Sequence, residues 1–205
     1  MSTYPQPFTS FTHDEYLTFE RAALDRHEYL DGLIYAMAGA SEAHRRIARN
    51  LLISLGTHLR GGPCEVFGSD TKVRCGPGQG TSQHGLYAYP DLVVVCGAAR
   101  YHDQHQDVLL NPTLLVEVLS PSTAAYDRGE KFTRYQRWLP TLMDYLLVEQ
   151  TQPLLEHYAR TEAGVWIPQR TQGLDASLHL ERLGWTVGLA EVYERVVFAG
   201  KGETP

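Results

Sequence analysis

"YPDLVVVC", residues 89–96, and "LLVEVLS", residues 114–120, decide the fold, because each is a strand-length apolar run that carries an acid. Asp91 follows Pro90 at the start of the first run, and Glu117 stands among Leu114, Leu115, Val116, Val118 and Leu119 in the second. Pro-Asp is a common turn dipeptide, so Asp91 alone also reads as a loop cap or an arginine partner. Glu117 fits that reading poorly, since an ionised carboxylate is rarely buried without a partner. If the two runs pair as antiparallel strands, a register placing Asp91 opposite Glu117 centres the connection on residue 104, inside the polar stretch "GAARYHDQHQDVLLN". Directly opposed residues have Cβ atoms about 4.5–5.5 Å apart, and like charges at that distance destabilise the pair. A hard divalent cation such as Mg²⁺ would compensate, because it accepts one or two carboxylates and completes its shell with water and phosphate oxygens. The Val118 carbonyl, next along the strand, is a further candidate oxygen ligand.

The elements on either side are those of an alternating α/β chain. Thr12 with Glu15 predicts a capping box for a helix reaching about Ala23. "HEYLDGLIYAMAG" predicts a hairpin turning at Asp31-Gly32. Ser41 is an N-cap, and Ile47, Leu51, Leu55 and Leu59, widened by Ala48 and Leu52, form the apolar stripe of a helix that Gly61-Gly62-Pro63 ends. "CEVFGSDTKVRC" has strand character and "GPGQGTSQHG" reads as a flexible connection. Beyond Glu117, "SPST" starts a helix that runs towards Pro140. "DYLLVEQ", "PLLEHYART" and "GVWIPQRT" predict a C-terminal meander, and "GLAEVYERV" a short closing helix. No repeat or linker interrupts this order, so the expectation is one domain over residues 1–205 with a core at about 11–195.

Composition narrows the chemistry. The 205 residues are 43% hydrophobic and 20% charged, which is ordinary for a globular chain. No long apolar run or basic-then-apolar leader is present, so neither membrane insertion nor secretion is expected, and the cytoplasm is the expected location. Cys64, Cys75 and Cys96 are odd in number and never form a C-x-x-C pair, so they read as reduced structural thiols rather than a disulfide frame or a zinc site. A net charge of −6 does not advertise nucleic-acid binding. Two segments are locally basic, with Arg45, Arg46 and Arg49 in one and Arg128, Lys131, Arg134 and Arg137 in the other. Both could meet phosphate or simply be solvated helix faces.

Lys131 is one of only three lysines against fifteen arginines. Asp127, Lys131 and Tyr135 follow i, i+4, i+8 and share a helix face, while Phe132 and Leu139 are placed to pack on the sheet. The helix begins just past the strand carrying Glu117, so its first turns can hang over the carboxylate pair. There a compact ammonium could hold a scissile phosphate or orient the attacking water. The alternative for Lys131 is a surface ion pair with Asp127.

These residues resemble a known superfamily. "PD" opening one strand, an acid inside the next, a lysine after it and a helix before the sheet look like the PD-(D/E)xK nucleases. More closely, "EYLDGLIYAMAGASEAHRRIARNL", "YPDLVVV", "LLVEVLSPST", "DRGEKFTRYQRW" and "DYLLVE" resemble, in that order, the Uma-type family described as putative restriction endonucleases. The resemblance implies a mixed α+β fold with a restriction-endonuclease-like αβββαβ core, and Asp91 and Glu117 as metal-binding carboxylates. The superfamily's usual lysine position, two residues after the acid, holds Leu119 here, so the lysine is displaced to Lys131 on the following helix.

Secondary candidates are Glu28 and His44, which resemble residues able to complete a metal shell from a first helix, although a lone helical histidine often only packs. Asp70 and Lys72 form a literal D-x-K expected to face substrate from one strand face. Arg128, Arg134 and Tyr135 are candidates for substrate contact. His102 and His105 resemble a metal pair only superficially, since no third ligand is near in sequence.

The expectation is therefore a Mg²⁺- or Mn²⁺-dependent endonuclease acting on DNA, with Asp91, Glu117 and Lys131 catalytic and Asp91, Glu117 and Val118 at the metal. The fold further suggests a homodimer, since one active site cuts one strand at a time. Two rivals remain open: a nucleic-acid- or protein-binding member of the same fold without turnover, and a hydrolase of small phosphodiesters.

Overall fold

Thr12 begins the architecture as its sequence predicts. Its hydroxyl accepts the Glu15 amide while the Glu15 carboxylate accepts the Thr12 amide, closing the capping box of α1, His13–Ala22. The computed structural model describes residues 10–37, 39–77 and 83–198. The hairpin follows as β1, His27–Leu30, and β2, Leu33–Ala36, with Asp31 and Gly32 both at positive φ in the turn. Ser41 caps α2, Glu42–Leu59, through the His44 amide.

The next segment departs from the expectation. "CEVFGSDTKVRC" is two strands, β3 at Cys64–Phe67 and β4 at Lys72–Cys75, and they enter different sheets. The turn between them carries the chain from one sheet to the other. Half of the glycine-rich connection after β4, residues 78–82, lies outside the described residues. β5, Leu86–Ala88, then leads to β6, Leu92–Cys96; β7, Val108–Leu109, is a short strand within the expected loop, and β8 spans Leu114–Leu119.

The helix after β8 runs from Ala124 to Trp138 and is called α3 here. Its middle is not α-helical: Asp127–Lys131 form a π turn between Ala124–Tyr126 and Phe132–Trp138. β9, Asp144–Glu149, β10, Leu154–Arg160, and β11, Trp166–Gln172, make the expected antiparallel meander. A hairpin that the sequence did not reveal, β12, Ser177–Leu180, with β13, Trp185–Gly188, precedes the short closing helix α4, Leu189–Val192.

Six strands form the main sheet in the order β11-β10-β9-β8-β6-β3, antiparallel except for the β8–β9 pair. Taken along the chain, α2, β3, β6, β8, α3 and β9 are the αβββαβ core. Five strands, in the order β2-β1-β5-β4-β7, form a second sheet. The alternation of β8 explains the layers. Leu114, Val116 and Val118 point to one face and pack with Ile47, Leu51 and Leu55 of α2. Leu115 and Leu119 point to the other, against Phe132 and Tyr135 of α3, Leu139 just past its end, and Val73, Leu86 and Ala88 of the second sheet. Glu117 lies between Leu115 and Leu119 in sequence, so it faces this second layer.

The cysteine expectation is corrected. Cys64 and Cys96 are directly opposed on β3 and β6 and form a disulfide, and Cys75 alone is a free, buried thiol. Pairing could not be read from spacing because the residues are 32 apart and meet only through strand register. Among the described residues no helix is long and apolar enough to cross a membrane.

Candidate active site

β6 and β8 pair as Leu92↔Val116, Val93↔Leu115 and Val94↔Leu114, and this register continued outward by one residue sets Asp91 opposite Glu117. Asp91 stands just before β6, where Pro90 ends the extended approach. Its carboxylate has two partners: His44 Nε2 at 2.7 Å and the Val118 amide, which donates to Oδ2 at 2.7 Å. The group of Val118 that the structure shows on Asp91 is thus its N–H. The carbonyl of a strand residue leaves the chain on the same side as its N–H, so the Val118 oxygen belongs to the same rim. The capped first turn of α2 fixes His44 against Asp91, whereas Glu28 comes from β1 rather than from a helix.

Glu117 is only 5% exposed and Lys131 only 4%. Lys131 Nζ lies 2.9 Å from Glu117 Oε1, 3.3 Å from Glu28 Oε1 and 3.5 Å from Asp127 Oδ1. Tyr135 donates its hydroxyl to Glu117 Oε1 at 3.3 Å. Asp127 and Lys131 are therefore a buried pair inside a cluster, and the surface-pair alternative is ruled out. The π turn carries both of them; Gly129 within it has low α-helical propensity, and the Tyr145 hydroxyl donates to the Asp127 carbonyl at 3.0 Å. Tyr145, in the "DYLLVE" strand, is a site neighbour that sequence reasoning missed, because only the parallel β8–β9 pairing brings it under the helix.

The electrostatics of the cluster are one-sided. Three carboxylates, from Glu28, Glu117 and Asp127, surround one ammonium, and Asp91 stands across the strand pair. Burial holds the Glu117 carboxyl well above the usual carboxylate range; Lys131 opposes this, and Asp127, Asp91 and Glu28 reinforce it. Burial works against the Lys131 charge, yet Glu117, Glu28 and Asp127 together hold its pKa well above the ordinary lysine value. Burial also raises Asp127. Excess buried negative charge of this kind is what a cation relieves.

The donors at this site suit a hard divalent cation only sparingly. Among the described residues no group of three or more His, Cys, Asp and Glu side chains is arranged to hold a metal. The fit is therefore limited to the Mg²⁺ mode of two carboxylates, Asp91 and Glu117, with the Val118 carbonyl, water and phosphate oxygens completing the shell. His44 would act behind that shell by orienting Asp91. Partners of this kind change metal affinity by about 10–100-fold. Replacing His44 with Ala should weaken Mg²⁺ binding in that range with little change in fold, as titration calorimetry would show; unchanged affinity would remove His44 from the site.

The remaining candidates lie elsewhere or are already engaged. Asp70 is in the turn before β4, with a 94% exposed side chain paired to Arg26, while Lys72 is buried on β4 beside Asp107 and the rings of Tyr16 and Tyr89. The two do not share a strand face, which corrects that expectation, and neither contacts the carboxylate cluster. Arg128 is held by Glu149 and Glu156, and Arg134 by Asp31 and Glu130. Arg45 donates to the Ala40 carbonyl, Arg46 is held by Glu42, and Arg49 by Asn50. Arg137 instead lies over the Trp138 ring. His102 faces the Tyr87 ring, and it joins no metal group with His105.

Known proteins resemble this chain in sequence and in fold. A family model described as "Uma2: Putative restriction endonuclease" matches residues 13–190. The chain is 37% identical over 192 residues to the uncharacterized protein slr1290 of Synechocystis sp., across 94% of this chain and 96% of that one. A second Synechocystis protein, sll1609, also uncharacterized, is 33% identical over 167 residues, across 82% and 90%. The crystal structure of a protein from Anabaena variabilis, described as a putative nuclease belonging to DUF820, superposes with a TM-score of 0.70 at 14% identity, covering 91% of this chain and 99% of the other. At that identity the likeness is one of fold.

Proposed function

The chain belongs to the Uma2 family of putative restriction endonucleases, and from that premise we propose that it is a Mg²⁺-dependent endonuclease hydrolysing DNA phosphodiester bonds. The observation that carries the reading is the buried Lys131–Glu117 contact of 2.9 Å, set beside an Asp91 that strand register places opposite Glu117.

Each residue has a part in that reaction. Asp91 and Glu117 hold the cation, with Val118 offering its carbonyl, and His44 with the Val118 amide keeps the Asp91 carboxylate oriented. Bound there, Mg²⁺ or Mn²⁺ would lower the pKa of a coordinated water and offset charge on the phosphodiester. A cation on Glu117 would also take over charge that Lys131 now neutralises, leaving the ammonium able to turn to a phosphate oxygen. Tyr135 positions the Glu117 carboxylate. Backbone phosphates would meet Arg137 first, because Arg128 and Arg134 are occupied by acids.

That occupation also favours a second reading, in which the fold binds a nucleic acid or protein without turnover, or accepts only a small phosphodiester. Incubation of supercoiled plasmid and a single-stranded oligonucleotide with Mg²⁺, Mn²⁺ or EDTA separates the cases. Cutting with either metal and none in EDTA is expected. Intact DNA throughout, from folded protein, would sink the endonuclease proposal. The salt dependence of binding then distinguishes long DNA, with its steep slope, from a small substrate. We extend the proposal to a homodimer, to be checked by sedimentation.

A further inference from the structure

The β1–β2 hairpin turns two unlike faces to its surroundings. Tyr29 and Ile34, a directly opposed pair, pack under α1. The pairs on either side, Glu28↔Tyr35 and Leu30↔Leu33, point to the other face, where Leu30 meets the core beside α3 and Glu28 reaches the carboxylate cluster. The Met37 amide donates to the Arg26 carbonyl and extends the ladder, so Leu33, Tyr35 and Met37 stand in a row on that face. All three are exposed. β2 is an edge strand, so among the described residues no further strand continues the sheet beyond them.

Tyr35 is the member of this row nearest the candidate chemistry. It lies directly across the ladder from Glu28, whose Oε1 accepts from Lys131 at 3.3 Å and from the Tyr89 amide at 3.2 Å. Of the three carboxylates around Lys131, Glu28 has the most exposed side chain, 19% against 7% for Glu117 and 5% for Asp127, so the cluster meets solvent beside Tyr35. Tyr35 is 49% exposed, and among the described residues it makes no hydrogen bond and no ring contact. A second tyrosine stands near the same opening. Tyr126, in α3 one residue before the π turn, is half-buried and likewise makes no hydrogen bond or ring contact among the described residues. Burial, and after it the Glu28 charge, holds its phenol above the usual range while Lys131 opposes them, which sets Tyr126 in the field of the cluster.

Tyrosine rings without partners beside a phosphodiester site offer their faces to nucleobases. A base stacks on an exposed ring whatever its sequence and needs no cavity to do so. It can stack in this way only when it is unpaired or swung out of a duplex. Charge points in the same direction. Non-specific duplex binding draws its affinity from phosphate contacts, whereas this chain has a net charge of −6 and commits Arg128 and Arg134 to acids. We propose that Tyr35 and Tyr126 are stacking platforms for an unpaired base next to the scissile phosphate, with Leu33 and Met37 extending the platform to the neighbouring base, and that the substrate class is single-stranded or locally unpaired DNA. The proposal rests on the nuclease reading for the place of the phosphate, but the stacking itself needs no turnover.

Fluorescence anisotropy of the full chain in EDTA tests it, with a short labelled single-stranded oligonucleotide of mixed sequence in one arm and the duplex it forms with its complement in the other. Wild type is expected to bind the single strand more tightly. Tyr35→Ala should weaken that binding about 5- to 150-fold and Tyr126→Ala comparably, while Tyr35→Phe, which keeps the ring, should stay near wild type. Duplex affinity should change little in all three. Equal or tighter binding of the duplex, no binding of the single strand, or a single-strand affinity indifferent to Tyr35→Ala would overturn the proposal; in the last case, a change of sedimentation in Tyr35→Ala would assign the exposed row to a second copy of the chain. If Tyr126→Ala fails to fold, Tyr35→Ala decides, because its side chain is exposed on an edge strand. Failure of the nuclease reading registers separately, as DNA left intact with Mg²⁺ or Mn²⁺ by a protein whose single-strand affinity still depends on Tyr35.

Discussion

Lys131→Met is expected to cost about 3–5 kcal/mol of stability, since removing one partner of a buried ionic cluster strands the charges left behind. Three carboxylates share this ammonium, so its loss is felt by all of them. The pH dependence has a definite sign. The folded-state pKa of Lys131 is raised, so its stabilising contribution is complete below the ordinary value of 10.5 and is lost as pH rises through the folded value. Glu117 is raised above its ordinary 4.5, so over the interval above that value the folded state holds a proton that the unfolded state has released. Stability therefore declines with rising pH across that interval. Glu117→Gln should flatten the decline and cost little, and in combination with Lys131→Met it should recover part of the loss. Urea denaturation between pH 5 and pH 9 would measure all three variants. A loss below about 1 kcal/mol for Lys131→Met would show that the ammonium is not the counter-charge of the cluster.

The second large effect concerns turnover. Asp91→Asn and Glu117→Gln should each reduce metal-dependent cleavage by at least about 10²–10³-fold, the scale on which a single electrostatic contributor to a charged transition state is felt. Asp91→Asn also disturbs the contacts to His44 and the Val118 amide, so part of its effect will appear as weaker metal binding. Glu117→Gln preserves shape within the core, so its loss should fall on the reaction with the fold intact. Wild-type rates in Glu117→Gln would remove that residue from the catalytic site.

Much of this was legible in the chain. The β6–β8 register followed from two acids and the length of the loop between them, because a period of two leaves few ways to bury both runs. The helices were legible because their caps, at Thr12 and Ser41, are local interactions. What escaped depended on contacts distant in sequence. The Cys64–Cys96 disulfide needs the β3–β6 register, and the division of residues 64–75 between two sheets needs a second sheet for β4 to join. The β12–β13 hairpin covers the α2 side of the main sheet, where Trp185 and Leu178 complete a core whose need for cover local pattern does not state. At the site, the i, i+4 spacing of Asp127 and Lys131 survived the π turn as a contact, but their burial, and the arrival of Glu28 from the hairpin, came from tertiary packing alone. Asp70 and Lys72 mark the opposite failure: a motif spacing in one dimension that the turn before β4 separates in three.

The central claim is that Asp91 and Glu117 share a cation. Anomalous diffraction from crystals grown with Mn²⁺ tests it most directly. The expected result is a peak about 2.1 Å from oxygens of both carboxylates and of Val118, with Lys131 drawn away from Glu117. A map with no peak there, and Lys131 still bound to Glu117, would contradict it.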